Sequence, residues 1–374
     1  MSNPIQQQEQ LTLSPLELGT KACQSIMETY SPEQLPPAGR WHYHQGVFLV
    51  GISQLWKFCG ESKFLDYVKG YVDHLVDSNG NLLLERGELD SVQAGLLLME
   101  LDAVFPEHRY RAAADKLLRL LSTLNRTTEG GYWHKDRYPY QMWLDGLYMG
   151  GVFTMKYAQQ YNEPHLFDEV LFQERLMRSH TKDQATGLFY HAWDESRTMP
   201  WADPVSGQSP EFWGRALGWY ALSIVEFLDL LPEDHPAREE LAVVLRELSE
   251  ALVRYQDPLT GLWHQVIDKG DREDNWLETS CSSLFIYTLA KGIRLGYLDS
   301  SLISHARHGF NGLAQSVYRN GQGHLVMPKI CIGTGVGDYK HYVERQQCEN
   351  DLHGVGALVM ACVELGRTDG KIRA

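Results

Sequence analysis

The sequence predicts an all-α protein: an (α/α)6 barrel of six helical hairpins, with inner and outer helix rings, formed by residues 1–374 as one domain. Three observations predict it. Two kinds of helical segment alternate through the whole chain, one amphipathic and one apolar on nearly all sides. The apolar kind is rich in small residues that let neighbouring helices approach closely. A turn motif also recurs between the two kinds, which gives the connections a common design.

Residues 1–14 are polar and Gln-rich and read as a flexible N-terminal extension. The first hairpin then pairs an outer segment at 16–30 with an inner one at 44–58, and the second pairs 63–76 with 91–104. The third and fourth pair 110–124 with 146–161 and 165–180 with 215–231. In the fifth, the outer segment 236–256 shows the pattern most clearly. Leu241, Val244, Leu245, Leu248 and Leu252 fall on one face, Glu239, Glu240, Arg246, Glu247 and Glu250 on the other, and Pro236 sits at the first turn. Its inner partner is 280–295, and 301–318 with 353–365 completes the ring. An outer ring needs one apolar stripe, whereas an inner helix is buried on most sides, so the two compositions assign the layers.

Asp183 to Asp194 and Asp257 to Asp268 share D-x-x-T-G-L-aromatic with an Asp at the same offset, and Gly130 to His134 is a shorter relative. Each lies between an outer and an inner helix, so these loops gather at the end of the barrel where the inner helices begin. That rim concentrates aromatic, acidic and imidazole groups: Trp41 to His44, Glu88 and Asp90, Trp143 and Asp145, Trp213 to Trp219, Trp276 and Glu278, and Glu349 to His353. Sugars present apolar C–H faces and hydroxyl edges, which call for flat aromatic platforms interleaved with polar groups.

Composition narrows the function. A net charge of −14 with no Lys/Arg-rich run opposes a nucleic-acid partner. No apolar stretch reaches about 18 residues, and the N-terminus lacks a basic region followed by an apolar one, so a cytoplasmic protein without membrane contact is expected. Six scattered cysteines without C-x-x-C predict reduced thiols and no zinc site. Metalloprotease, P-loop and dinucleotide motifs are missing, and Gly333 to Gly337 lacks the Lys and strand of a phosphate cradle.

Asp90 and Asp145 open consecutive inner helices and can face one cavity, as glycosidic acid/base chemistry requires. Helix capping competes for both, more strongly for Asp90, whose Asp90 to Gln93 run matches a capping box. Arg215 and Trp219 share a helix face behind Trp213, pairing a guanidinium with a stacking surface; a salt bridge to Glu211 or Glu278 is the competing role. His134 and His191 sit in rim loops, within reach of sugar hydroxyls or a carboxylate. Inner-helix N-termini favour an anionic ligand. They also lower the pKa of Asp145, whereas burial and the Asp90 charge raise it, and the sequence leaves that balance open.

At Met142 to Phe153 (MWLDGLYMGGVF), Trp213 to Trp219 (WGRALGW) and Trp41 to Gly46 (WHYHQG), the chain resembles glycoside hydrolase family 105, the unsaturated rhamnogalacturonyl hydrolases. The related family 88 contains the unsaturated glucuronyl hydrolases. The resemblance spans nearly the full length. It implies a cytoplasmic enzyme without metal or cofactor, a monomer or weak homo-oligomer, that removes the Δ4,5-unsaturated galacturonyl residue from lyase-generated pectin fragments. By this likeness Asp145 is the catalytic acid/base and Asp90 its assisting carboxylate, while Tyr43, His134, Trp143, His191, Trp213, Arg215 and Trp219 contact the sugar. An alternative substrate is a glycosaminoglycan-type fragment. Two other readings are an (α/α)6 epimerase or isomerase using His264 and His353, and a non-catalytic sugar-binding torus.

Overall fold

The computed structural model describes residues 13–84 and 86–373. The extension expected at 1–14 therefore falls, for residues 1–12, outside the described residues. Ser14 instead serves as the N-cap of α1 (Pro15–Thr29), where its hydroxyl and the Glu17 carboxylate close a capping box.

The six hairpins form as the sequence predicts. The outer helices are α1, α3 (Ser62–Leu75), α6 (His108–Thr123), α8 (His165–Thr181), α10 (Ala237–Arg254) and α12 (Ile303–Ser316). The inner ring consists of α2 (Tyr43–Cys59), α4 (Leu89–Gln93) with α5 (Leu96–Val104), α7 (Phe153–Tyr161), α9 (Gly214–Leu230), α11 (Thr279–Leu295) and α14 (Leu352–Arg373). Each inner helix packs on the next, and α14 closes the ring against α2. That closure needs glycine: a Cβ on Gly356 would stand 2.6 Å from the Phe48 backbone. No helix among the described residues is long and apolar enough to cross a membrane.

Two inner helices depart from regularity, and both departures lie beside the predicted carboxylates. The segment expected as one helix over 91–104 breaks at Ala94 and Gly95, and α7 is preceded by a π-helical turn, Leu147–Val152. Such turns recur at functional sites because the extra residue per turn re-aims the chain.

The repeated turn motif has a common physical basis. The Asp183 carboxylate accepts from the Thr186 backbone and hydroxyl, and the Asp257 carboxylate accepts from Thr260 in the same way. Gly187 and Gly261 then take φ of +75°, which a side chain disfavours. The chain leaves each turn extended and enters a short antiparallel ribbon. β1 (Gln141–Trp143) pairs with β2 (Ala192–Asp194), and β3 (Trp263–His264) pairs with β4 (Leu277–Glu278). β5 (Tyr318–Arg319) pairs with β6 (Leu325–Val326), and β7 (Ile330–Cys331) with β8 (Gln347–Cys348). The last ribbon holds a long excursion that includes the short α13 (Tyr339–Val343).

Candidate active site

The inner-helix N-termini surround a cleft of about 340 Å3. It is lined by His42, Tyr43 and His44 ahead of and on α2, by Asp90 on α4, by His134, Lys135, Arg137 and Tyr138, by Trp143, Asp145 and Met149, by Trp213 and Arg215, and by Gly333 to Gly335 with Arg345. Asp90 and Asp145 thus share one cavity. Neither acts as a cap: Glu88 holds the N-cap position of α4, and the Asp90–Gln93 capping box does not form. The Asp90 side chain turns into the cleft.

The β1–β2 ribbon positions Asp145. Trp143 stands opposite Ala192, and the Leu144 amide donates to the His191 carbonyl at 3.0 Å, so His191 is brought beside Asp145. His191 Nε2 lies 3.3 Å from Asp145 Oδ2, and neither atom has another hydrogen-bond partner among the described residues. On its other side, His191 Nδ1 meets the Tyr342 hydroxyl at 2.7 Å, and that hydroxyl accepts from the Gly337 amide at 3.3 Å. The ionised Asp145 carboxylate can only accept, so the imidazole proton sits on Nε2, facing it, and Nδ1 accepts from the Tyr342 hydroxyl. Burial raises the Asp145 pKa, but the hydrogen bonding and charge of His191, with His134 behind it, outweigh burial and hold it below the ordinary carboxylate value.

Asp90 is buried and held by three nitrogens. Lys135 donates to Oδ2, His134 Nε2 lies 3.8 Å from Oδ1, and His42 Nε2 lies 4.0 Å from Oδ2. Lys135 also reaches Glu88 at 3.2 Å, so its ammonium bridges the two carboxylates. Burial alone raises Asp90, and the Lys135 charge, followed by His134 and His42, brings it below its usual value. Burial also depresses His134 and His42 to about 4, which keeps both imidazoles neutral near neutral pH. His134 stacks on Trp143 at 4.1 Å, and Tyr138 stacks on Trp143 at 4.8 Å, giving a layered aromatic wall.

At the other end, Arg215 is fully buried. It donates to the Cys331 carbonyl, to the Ile332 carbonyl at 2.8 Å, and faces Glu278 at 3.9 Å. Its guanidinium lies 4.5 Å from the Trp213 ring. The salt bridge weighed from sequence is therefore present, with Glu278 rather than Glu211, which pairs with Lys269. Arg215 still lines the cleft. Tyr43 lines it too, and burial pushes its phenol well above the ordinary value, so it remains a donor.

Two predicted sugar contacts sit elsewhere. Trp219 is buried one turn below Arg215, stacked on Tyr148 at 4.7 Å, and does not line the cleft. His191 is buried behind Asp145 and reaches the cleft through it. His264 packs by Gly270 and does not line the cleft, while His353 hydrogen-bonds Asp351, so the pair suggested for an epimerase has no shared face there.

Two groups offer metal-type donor sets, His44–Asp351–His353 and His42–Glu88–Asp90, each with ligand atoms within 4.8 Å. In the first, Asp351 already bonds both histidines at 2.7 and 2.8 Å; in the second, Lys135 supplies the positive charge between Glu88 and Asp90.

Several cleft residues, Lys135, Arg137, Tyr138 and Arg345, were not legible in the sequence, nor was Tyr342, which is buried behind His191. The first three directly follow His134, so the rim loop was itself the signal. Tyr342 and Arg345 lie on the excursion between β7 and β8, and the only hint was the unusual length of the connection between the last outer and inner segments.

With the six-hairpin torus, this cleft defines a glycoside hydrolase of the all-α barrel type. The chain belongs to Glycosyl Hydrolase Family 88, whose family model matches residues 19–368. It is similar to a solved family 105 glycoside hydrolase of C. acetobutylicum ATCC 824, at 33% identity and a TM-score of 0.89, over 93% of this chain and 99% of that one. It is 29% identical over 313 residues to the unsaturated rhamnogalacturonyl hydrolase YesR of Bacillus subtilis (strain 168), covering 79% of this chain and 87% of that protein. The unsaturated glucuronyl hydrolase of Bacillus sp. GL1, described as responsible for glycosaminoglycan degradation, has the same fold at a TM-score of 0.69 and 12% identity, covering 95% of each chain.

Proposed function

We propose that this protein removes a Δ4,5-unsaturated galacturonyl residue from the non-reducing end of rhamnogalacturonan fragments by hydrating the C4=C5 vinyl ether. The observation that carries this reading is the Asp145 carboxyl, aimed into a cleft that also holds Arg215 and is backed by the His191–Tyr342 pair. In such a sugar the double bond is conjugated to the carboxylate and attached to the ring oxygen, so C4 is the nucleophilic carbon. A carboxyl group that protonates C4 creates an oxocarbenium-like centre at C5. Water, deprotonated by the same carboxylate, adds at C5, and the hemiketal opens and expels the linked sugar.

The residues support these steps. In the structure Asp145 is held below its ordinary value. A uronate carboxylate entering beside it adds a like charge and excludes water, both of which lift it toward the protonated form needed at C4. Arg215, beside Trp213, anchors that uronate, and the Trp143–His134 stack supports the ring face. Asp90, kept ionised by Lys135, accepts from sugar hydroxyls and fixes the ring.

The rhamnose linkage is favoured by the similarity to YesR at 29% identity, against 12% for the glucuronyl hydrolase. The test is incubation with a panel of lyase-generated disaccharides while following the ultraviolet absorbance of the double bond. The unsaturated galacturonyl-rhamnose disaccharide should bleach fastest with release of rhamnose; faster bleaching of a glycosaminoglycan disaccharide would transfer the assignment to that substrate.

A further inference from the structure

His44 lines the catalytic cleft, and no step above uses it. It stands in the first turn of α2, and its Nδ1 lies 2.7 Å from Asp351 Oδ1. The same oxygen takes His353 Nδ1 at 2.8 Å. Burial raises the Asp351 carboxyl, but His353 and then His44 more than offset it and hold it well below the usual carboxylate range. An ionised carboxylate only accepts, so both imidazoles donate from Nδ1, and the second nitrogen of His44, Nε2, is left for the cleft. The His44 side chain is 20% exposed whereas that of His353 is fully buried, so of the two it is His44 that can meet a ligand. The backbone aims Asp351 firmly. Asn350 before it takes a φ of +52°, and is pinned there by three bonds: its amide donates to the Met327 carbonyl at 3.0 Å, its side-chain oxygen accepts from the Met327 amide at 2.8 Å, and its side-chain nitrogen donates to the Leu325 carbonyl at 3.2 Å. A non-glycine residue held in the left-handed region by so many partners fixes the direction of the side chain that follows it.

The ring of helices says which part of the sugar His44 meets. From α7 the inner ring runs through α9, α11, α14 and α2 to α4 with α5, so α14 stands opposite α7 and α2 opposite α9. The uronate carboxylate, on C5, lies at Arg215 of α9, and C4 lies at Asp145, ahead of the π-helical turn that leads into α7. C1 is the ring carbon across from C4, so it faces the side of α14 and α2, where Asp351 and His44 stand. His44 also lines a neighbouring hollow of about 560 Å3, together with Tyr318 and Asn320, which gives the sugar attached at C1 room to leave. Hydration at C5 does not by itself release that sugar. Once the ring opens, C1 carries a hydroxyl, formed from the ring oxygen, beside the oxygen of the linked sugar, and this hemiacetal must still collapse. Asp145 is then on the far side, at C4.

We propose that His44, aimed by Asp351, carries the proton of this last step. Nε2 takes the proton of the C1 hydroxyl, the C1=O bond forms as the C1–O bond to the linked sugar breaks, and the departing oxygen receives the proton back from Nε2. His44 ends as it began, and nothing is oxidised or reduced. This role rests on the orientation given under the proposed function, and it adds a second proton carrier, at C1, to Asp145 at C4.

The test follows ultraviolet bleaching and rhamnose release together, by rapid mixing and quenching with the unsaturated galacturonyl-rhamnose disaccharide, and weighs the quenched sugars by mass spectrometry. In the wild type the two signals should run in step. In His44→Gln the rate constant for release should fall at least about tenfold further than that for bleaching, because a general acid/base group contributes about 100-fold or more and spontaneous collapse in water makes good part of it. A still-linked sugar one water heavier than the substrate should accumulate meanwhile. Asp351→Asn, which keeps the shape but loses the aiming charge, should show a shorter lag of the same kind, and added imidazole should shorten the lag of His44→Ala. Should His44→Gln fail to fold, Asp351→Asn and His44→Ala decide by the same lag. A purely structural role would slow both signals equally, and equal slowing in the folded variants would overturn the proposal, as would a wild-type lag as long as theirs. Absence of bleaching by the wild type would instead remove the proposed function, and this role with it.

Discussion

Lys135→Met removes the cation shared by the buried Asp90 and the partly buried Glu88 carboxylates, and its cost can be worked from the geometry. At 3.2 Å from Glu88, with an effective dielectric near 20, the gross attraction is about 5 kcal/mol, and Asp90 contributes a comparable attraction. Desolvation of the ammonium offsets much of this, so the net cost of deleting one partner of such a buried pair is about 3 kcal/mol. For a chain of this size that corresponds to a drop in Tm of roughly 4 °C. Without Lys135, burial and the neighbouring Glu88 charge are no longer balanced, and the Asp90 pKa rises. The assay is differential scanning calorimetry at neutral pH on Lys135→Met, Asp90→Asn and the double variant, with kcat/KM measured on each. The double variant should regain most of the lost Tm because the stranded charge is gone, yet remain poorly active because Asp90 is missing. A Lys135→Met protein that melts within about 1 °C of wild type, on the same scale, would mean that Lys135 does not offset the Asp90 and Glu88 charges.

Asp145→Asn, nearly isosteric but unable to deliver a proton, should lower kcat at least about 100-fold with little change in Tm; retention of a tenth of the activity would remove Asp145 from the acid/base role. Arg215→Lys keeps charge but loses the fork onto the Cys331 and Ile332 carbonyls, so KM should rise more than kcat falls, together with a lower Tm; unchanged kinetics with lost stability would leave Arg215 a purely structural cation. Tyr342→Phe removes the donor to His191 Nδ1, and the pH profile of kcat should shift while Phe preserves the stack on Trp213; an unmoved profile would detach Tyr342 from the proton inventory. Acid should destabilise the fold. His42, His134 and His353 are depressed to about 4, so as pH falls below about 6.5 the unfolded chain takes up protons that the native protein refuses, while Asp90 and Asp145, lowered by their partners, lose their contributions at still lower pH. Tm should therefore fall between pH 6.5 and 4; a flat profile would contradict these environments.

The architecture was legible because each layer of a helical torus has its own composition: one apolar stripe outside, apolar and small residues all round inside. The D-x-x-T-G-L turns were legible for the same reason, since an Asp–Thr hydrogen bond and a positive-φ glycine leave a local signature. What escaped was set by partners distant in sequence. The capping-box pattern at Asp90 suggested a local role, but Lys135, 45 residues away, outcompetes the backbone amide for that carboxylate. The same ammonium offsets the Asp90 charge that had been expected to raise Asp145, whose strongest neighbour is instead His191. Trp219 shares a helix face with Arg215 as its spacing says, but one turn deeper, where Tyr148 rather than the cleft meets the indole. Periodicity fixes the face of a helix and leaves depth along the barrel axis undetermined.

The central claim is that the protein attacks the C4=C5 double bond and not the glycosidic carbon. It is tested most directly by measuring release of the linked sugar from two matched disaccharides, galacturonyl-rhamnose with and without the 4,5-unsaturation, under identical conditions. Rhamnose should be released steadily from the unsaturated compound, in step with loss of its ultraviolet absorbance, and not at all from the saturated one. Equal release from both would contradict it and assign Asp90 and Asp145 to conventional acid/base hydrolysis at C1.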